Sequence, residues 1–183
     1  MHVSIKGKGV MKMPAVTMPM SPMSPMTQEA ADIHWMRAAL AEALDAHARG
    51  DWPTGAVLIK QGRVLAYGQN RQNTRGDPTA HAETDALQAA FRAHGPQAAQ
   101  GATLYCTMEP CPMCAGALRI AGVQTLVLAL RHARLRRVDL GDYSIERFCH
   151  LTDYPLELRD GVLEEDYLAL RLRWAGDRVA PAP

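Results

Sequence analysis

The sequence predicts an α/β fold, a sheet covered by helices, and three observations point to it. From Thr79 onward, helical and strand-like stretches alternate, the order that lays helices over a sheet. Upstream, GAVLIK and VLAYGQN flank Gln61-Gly62 as the arms of a hairpin, with the glycine-containing dipeptide that a tight two-residue turn favours. At 183 residues, with 48% hydrophobic and 21% charged side chains, the chain has the size and composition of one globular domain with a sizeable core. No internal repeat and no domain-scale linker is visible after residue 27.

Residues 1–26 are rich in Met, Pro and Ser and are expected to form a disordered leader, since they bury too little to offset their ordering entropy. Lys6, Lys8 and Lys12 suggest the charged head of an export signal, but the continuous apolar segment that export requires does not follow. Met26 is an alternative point for translation to begin. A single domain is expected over residues 27–178, with 179–183 as a frayed end.

The first helix is expected from about Glu29 to Ala48. Ala31, Trp35, Ala38, Ala39, Glu42 and Ala43 share a stripe with Leu40 and Leu44 beside it, and Gly50 suits a stop. After the hairpin, RQNTRGDPT (71–79) is polar and holds Gly76 and Pro78, so it is expected as a loop. Thr79 is the expected N-cap of a helix from about Ala80 to His94, which Gly95-Pro96 ends. TLYCTM (103–108) is a β-branched and aromatic strand, a helix follows over Pro112 to Ala121, and TLVLAL is the next strand. Residues 131–162 show no clear pattern, and a last helix covers Leu163 to Trp174.

Composition narrows the function classes. A net charge of +1 gives no global attraction to nucleic acid or membrane, although a local basic patch remains open. No apolar run approaches the roughly 18 residues of a membrane span, and a cytoplasmic protein is expected. The four cysteines, Cys106, Cys111, Cys114 and Cys149, are too few for a disulfide framework in a chain of this size. A C-x-x-C pair in this setting points to metal or redox chemistry.

His81 and Glu83 stand at the head of one helix, and Cys111 and Cys114 at the head of the next. Pro112 suits a first helical position, and a helix N-terminus favours thiolates, the form that binds zinc. Two cysteines and one neutral histidine form a catalytic zinc set with a fourth position open. Zn²⁺ with two thiolates and one imidazole sums to zero charge, so its water gains from a nearby base, and Glu83 is the candidate. On a regular helix positions 81 and 83 lie about 200° apart, so Glu83 is expected beside the metal as a proton carrier and not as a ligand. The alternatives are a redox pair or half of a structural zinc site. The latter needs a fourth ligand, which Cys106, Cys149, His132 or His150 could supply.

DPTAHAE (77–83), TLYCTMEPCPMCAGAL (103–118) and the hairpin PTGAVLIKQGRVLAYGQN (53–70) together resemble the cytidine deaminase-like zinc deaminases. H-x-E followed by P-C-x-x-C is the signature of that superfamily. Within it the residues look like the branch of tRNA adenosine deaminases, guanine deaminases and fungal-type cytosine deaminases. The resemblance implies a three-layer α/β/α sandwich with a central mixed five-stranded sheet, one zinc ion per subunit, and a homodimer. It implies zinc on His81, Cys111 and Cys114, with Glu83 shuttling protons while water displaces an exocyclic amine. Asn70 is the implied hydrogen-bond partner of the base, the alternative being an asparagine that closes a turn. The N–H of Ala82 is the second implied contact, and Glu109 is read as structural.

The substrate is less constrained. The tRNA adenosine deaminases of the branch usually continue after the last core strand with a loop resembling AKTGAAGS, where this chain has RHARLRRVDLGDYSIERF. The cluster Arg131, Arg134, Arg136 and Arg137 could meet phosphates, or form a solvated face offset by Asp139, Asp142 and Glu146. Among Tyr143, Phe148, Tyr154, Tyr167 and Trp174, some could form an aromatic lid, with Tyr167 and Trp174 assigned to ordinary packing. The leading expectation is a zinc-dependent hydrolytic deaminase of a small-molecule base, nucleoside or related heterocycle, guanine- or cytosine-like. A tRNA-specific adenosine deaminase making inosine at the anticodon is the alternative, and an inactive zinc-binding scaffold subunit is the alternative of another class.

Overall fold

The computed structural model describes residues 27–136 and 139–178. The expected leader, the expected frayed end and Arg137 lie outside the described residues. Helix α1, Gln28–Ala48, is capped by Thr27, whose side chain accepts from the Ala30 N–H at 3.2 Å. Its buried stripe, Met36, Ala39, Ala43 and Ala46, is mostly alanine, so the strand beneath can approach closely. Strands β1, Gly55–Lys60, and β2, Arg63–Gln69, form the hairpin. Gln61 and Gly62 turn it with φ of 51° and 71°, the pair of positive values that a type I′ turn demands.

The one-turn helix α2, Gln72–Arg75, then leads to α3, Ala82–His94. Strand β3, Thr103–Met108, is followed by α4, Pro112–Ala121, and β4, Thr125–Leu130. A 3-10 turn, His132–Leu135, precedes α5, Ile145–Thr152, β5, Glu157–Arg159, and α6, Glu164–Arg178.

The strands form one mixed five-stranded sheet in the order β2-β1-β3-β4-β5. β1 runs antiparallel to β2 and β3, whereas β3, β4 and β5 are parallel. Side-chain alternation along each strand divides the core in two. Val57, Ile59, Tyr105, Val127 and Ala129 pack against Met36, Ala39 and Ala43 of α1 and against Tyr167 and Leu170 of α6. Ala56, Leu58, Leu104, Cys106, Leu126 and Leu128 pack on the other face against Ala86, Leu118 and Ile145 of α3, α4 and α5. This is the three-layer sandwich the resemblance implies. Among the described residues no helix is long and apolar enough to cross a membrane.

Three local expectations are corrected. Thr79 does not cap α3; its N–H and hydroxyl both donate to Asp77 Oδ1, at 2.8 and 2.7 Å, and the N-cap is His81. The polar stretch 71–79 contains α2, held by Asp51, whose Oδ1 accepts from the N–H groups of Asn73 and Thr74 at 2.9 Å each. The last helix starts at Glu164 and runs past Trp174 to Arg178.

Candidate active site

The parallel strands end on one edge of the sheet, and there the helices α3 and α4 begin. His81 and Cys111 each occupy an N-cap with extended backbone, and Cys111 makes no side-chain cap. Ser, Thr, Asp and Asn are preferred at such positions because their oxygens satisfy free N–H groups. Departing from that preference leaves an imidazole and a sulfur free to turn toward one another. Thr84 supports the bend at α3, its Oγ1 accepting from the His81 N–H at 3.2 Å. Pro112 holds the first turn of α4, and Cys114 projects from that turn.

Cys111 Sγ and Cys114 Sγ lie 3.6 and 3.4 Å from His81 Nδ1. A tetrahedral zinc with Zn–S near 2.3 Å and Zn–N near 2.05 Å has a sulfur–nitrogen edge of about 3.6 Å, so the donor set fits that ion without rearrangement. Among the described residues this is the one cluster of His, Cys and acidic groups close enough to hold a metal, and it contains these three alone. Cys106 is wholly buried in the core on β3. With no fourth protein ligand in the cluster, the geometry is that of an open site.

The three donors are coupled through their hydrogen bonds. The hydrogen bond from Cys114, then that from His81, pulls the Cys111 thiol down to about 4. The same shared hydrogen bond, together with burial, pushes Cys114 up. The pair therefore gives up its first proton easily and holds the second. The hydrogen bond to Cys111 raises His81 against the effect of burial.

Glu83 lies in the first turn of α3 with only 3% of its surface exposed. Burial pushes its carboxyl above the usual carboxylate range. Because His81 stands outside the helix, the 200° separation expected on a regular helix does not apply. Glu83, His81 and Cys111 share one cavity of about 180 Å³ with Thr54, Asn70, Gln72, Met108, Glu109, His132, Trp52 and Arg171.

Asn70 is buried and does two things. Its Oδ1 accepts from the Gln72 N–H at 3.1 Å and its Nδ2 donates to Gln72 Oε1 at 2.9 Å, so it closes the turn into α2. One lone pair and one N–H of the amide remain for the cavity. Its own N–H donates to the Thr54 carbonyl at 2.9 Å, which holds the ends of the hairpin side by side. Ala82 is the first residue of α3, and the N–H of a first helical residue has no acceptor within its helix.

Glu109 braces the far wall. Its carboxylate accepts from Arg131 Nε at 3.0 Å, the His132 N–H at 2.8 Å and the Ile145 N–H at 2.9 Å, the structural role expected of it. Arg131 also pairs with Glu146 and Asp160 at 2.6 and 2.8 Å, and Arg134 pairs with Glu164 at 3.0 Å. Three carboxylates, with Glu146 among them as the charge-offset reading expected, therefore hold the Arg131 guanidinium, and Arg134 stays half exposed beside its acidic partner.

Phe148 and Tyr154, which the sequence leaves open as lid residues, both pack elsewhere. Phe148 packs on the core, and the Tyr154 hydroxyl donates to the Val123 carbonyl. Tyr154 lines a separate cleft of about 580 Å³ at the opposite edge of the sheet, with Gln100, Arg119 and Gln124, which holds none of the expected site residues. Tyr167 is fully buried, as expected for a packing residue. Tyr143 approaches the site, donating to the Pro110 carbonyl at 2.8 Å with its ring 6.2 Å from that of His132. Sequence reasoning named His132 only as a possible fourth zinc ligand and missed Trp52, Thr54, Gln72 and Arg171 as cavity residues. Thr54 alone carried a signal, since it pairs across the hairpin end with Asn70.

The fold and its donor set define a class, the zinc-dependent hydrolytic deaminases built on the cytidine deaminase-like sandwich. Residues 29–130 match the family model described as the cytidine and deoxycytidylate deaminase zinc-binding region, and the chain belongs to that family. It is 41% identical over 118 residues to the tRNA-specific adenosine deaminase of Agrobacterium fabrum, covering 64% of this chain and 78% of that one. It is 42% identical over 93 residues to the guanine deaminase of Bacillus subtilis, covering 51% and 60%. A solved structure from studies of A-to-I editing by tRNA:A34 deaminases at the wobble position superposes with a TM-score of 0.66 at 34% identity, over 75% of this chain and 98% of that chain. Zinc is the cofactor that the family and the His–Cys–Cys cluster share.

Proposed function

We propose that the chain is a tRNA-specific adenosine deaminase that converts adenosine to inosine in the anticodon. The observation that carries this reading is the likeness to such an enzyme over 78% of its length, joined to a cavity that brings Glu83 beside His81 and Cys111. It reverses the order of substrates expected from the sequence, in which a small base or nucleoside led.

In this reading His81, Cys111 and Cys114 would hold the zinc, which would supply acidification of a water for attack on the ring carbon. Glu83 takes a proton from the attacking water and passes it to the ring nitrogen next to that carbon. It then takes the remaining proton from the hydroxyl on that carbon and gives it to the departing amine, so water is consumed, ammonia leaves and a carbonyl remains. A carboxyl that burial raises suits both halves of the task, because in each it takes up a proton and gives it away. Asn70 and the Ala82 N–H orient the ring edge. An inactive scaffold would have no use for a buried carboxyl in the same cavity.

A second reading, deamination of a free guanine-like base, has its own support. The cavity is small, the loop after β4 departs from the usual tRNA deaminase pattern, and the guanine deaminase likeness is as strong in identity, 42% over 93 residues. We also take the working unit to be a cytoplasmic homodimer. The apolar groove lined by Leu87, Phe91, Ala117 and Ile120 is the surface a second copy would cover, and sedimentation of the wild type and of Ile120→Glu checks this.

The test is ammonia release by the zinc-loaded chain on an anticodon stem-loop, adenosine, guanosine, guanine, cytosine and cytidine. Turnover of the stem-loop above all others is expected. Turnover of guanine with no reaction on the stem-loop overturns the tRNA reading in favour of the second.

A further inference from the structure

Where the cavity meets solvent, the Trp52 ring, 36% exposed, carries the Arg171 guanidinium 4.6 Å from its centroid. Trp174 backs Trp52 at 5.8 Å, and His47 backs Trp174 at 5.5 Å. Both Trp52 and Arg171 line the cavity of His81 and Glu83, yet neither has a part in holding zinc or moving the proton. A guanidinium laid on an indole keeps its planar fork in a restricted orientation, which suits two-point capture of phosphate oxygens. Less side-chain freedom is then lost on binding.

Size places the rest of the substrate there. At about 180 Å³ the cavity is smaller than the roughly 300 Å³ at which pockets for drug-sized ligands begin. One ring system fills it, so whatever the ring is attached to lies outside, and Trp52, beside Arg171, is the most exposed residue of the lining. We infer that Arg171, braced on Trp52, binds the phosphate attached to the target nucleoside. The inference rests on the deaminase reading of the cavity and makes the substrate a phosphate-bearing nucleotide and not a free base. The phosphate could belong to a folded RNA or to a mononucleotide, and the experiment separates these sources.

The zinc-loaded full chain is titrated at several salt concentrations with an anticodon stem-loop RNA, and with adenosine and guanosine each with and without a 5′-phosphate. At least one phosphate-bearing probe should bind about tenfold or more tighter than its nucleoside, as a charged hydrogen-bonded contact warrants. Arg171→Gln should abolish that preference. For the RNA it should also lower the slope of log affinity against log salt by about one. Arg171→Lys, which keeps the charge but loses the stack, should fall between, and it serves as the readout if Arg171→Gln proves unfolded. Zinc content and the urea midpoint report on the fold. Preference for a mononucleotide alone sustains the inference while overturning the RNA reading. A wild type that does not distinguish phosphate-bearing probes from nucleosides overturns the inference, as does a folded Arg171→Gln that keeps the full preference. Either result leaves the deaminase chemistry standing.

Discussion

Gly68 on β2 lies against the start of α3, and a single methyl group there should disable the site from behind. A Cβ at Gly68 would stand 2.1 Å from the Ala82 carbonyl oxygen, 2.5 Å from the Ala86 nitrogen and 2.7 Å from the Ala86 Cβ. Ordinary contact begins near 3.4 Å, a shortfall of about 1.3 Å that no side-chain rotation relieves, because two of the three atoms are backbone. Either β2 leaves the sheet or the first turn of α3 moves outward, carrying His81 and Glu83 with it. Overpacking of this kind costs about 1–3 kcal/mol, with the upper end expected where backbone must shift. A reacting group misplaced by about 1 Å costs on the order of 100-fold in rate. Gly68→Ala should therefore lower the urea midpoint and, under conditions where it stays folded, lower kcat/KM about 100-fold with weakened zinc retention. Gly116→Ala on α4 is the control. Its Cβ meets nothing within 4 Å, and alanine in a helix interior gains about 0.5–1 kcal/mol over glycine. A Gly68→Ala protein with an unchanged midpoint and wild-type turnover would refute the argument that this close approach positions the site.

Three further outcomes are expected. Glu83→Ala should keep its zinc, measured by atomic absorption, and lose about 100- to 10,000-fold in turnover; a near-normal rate would remove Glu83 from the reaction. Cys114→Ala should lose both metal and activity, and full zinc occupancy would count against its place in the donor set. Asp51 governs acid stability: burial alone would raise its carboxyl, but the hydrogen bonds from Thr74 and Asn73 outweigh burial and hold it below the usual value. Its contribution is complete above the ordinary carboxylate range near pH 4 and is lost as pH falls through the depressed value. Urea midpoints of the wild type should fall more steeply toward acid than those of Asp51→Asn, and parallel profiles would exclude this source.

The chemistry was more legible in the sequence than the edges of the structure were. His81, Glu83, Cys111 and Cys114 could be read because each sits within a few residues of a helix start, where spacing translates directly into geometry. The N-cap was misplaced at Thr79 for a related reason. A cap preference rewards Thr over His, and that local rule is broken where the histidine serves a metal. Residues 131–162 resisted reading because their order comes from distant partners. Arg131 joins Glu109, Glu146 and Asp160, and β5 has three residues that pair with β4. Such short elements carry little periodicity. Trp52 and Arg171 meet from opposite ends of the chain, and no sequence pattern links them.

That division has a consequence for specificity. The family match spans residues 29–130 and takes in the proposed zinc donors His81, Cys111 and Cys114 together with Glu83, Asn70 and Ala82. Its positions are fixed by two helix starts packed on the sheet, so the reaction is inherited with the sandwich. His132 and Arg171 line the same cavity but fall beyond the match, on the 3-10 turn and on α6. His132 is set by the Glu109 carboxylate, which accepts its N–H, and Arg171 by the Trp52–Trp174 stack. These supports can change without disturbing the metal ligands. Relatives with identical chemistry can therefore differ in substrate, as the tRNA adenosine and guanine deaminases similar to this chain do. Exchanging His132 or Arg171 should therefore alter what the cavity binds while leaving zinc retention intact.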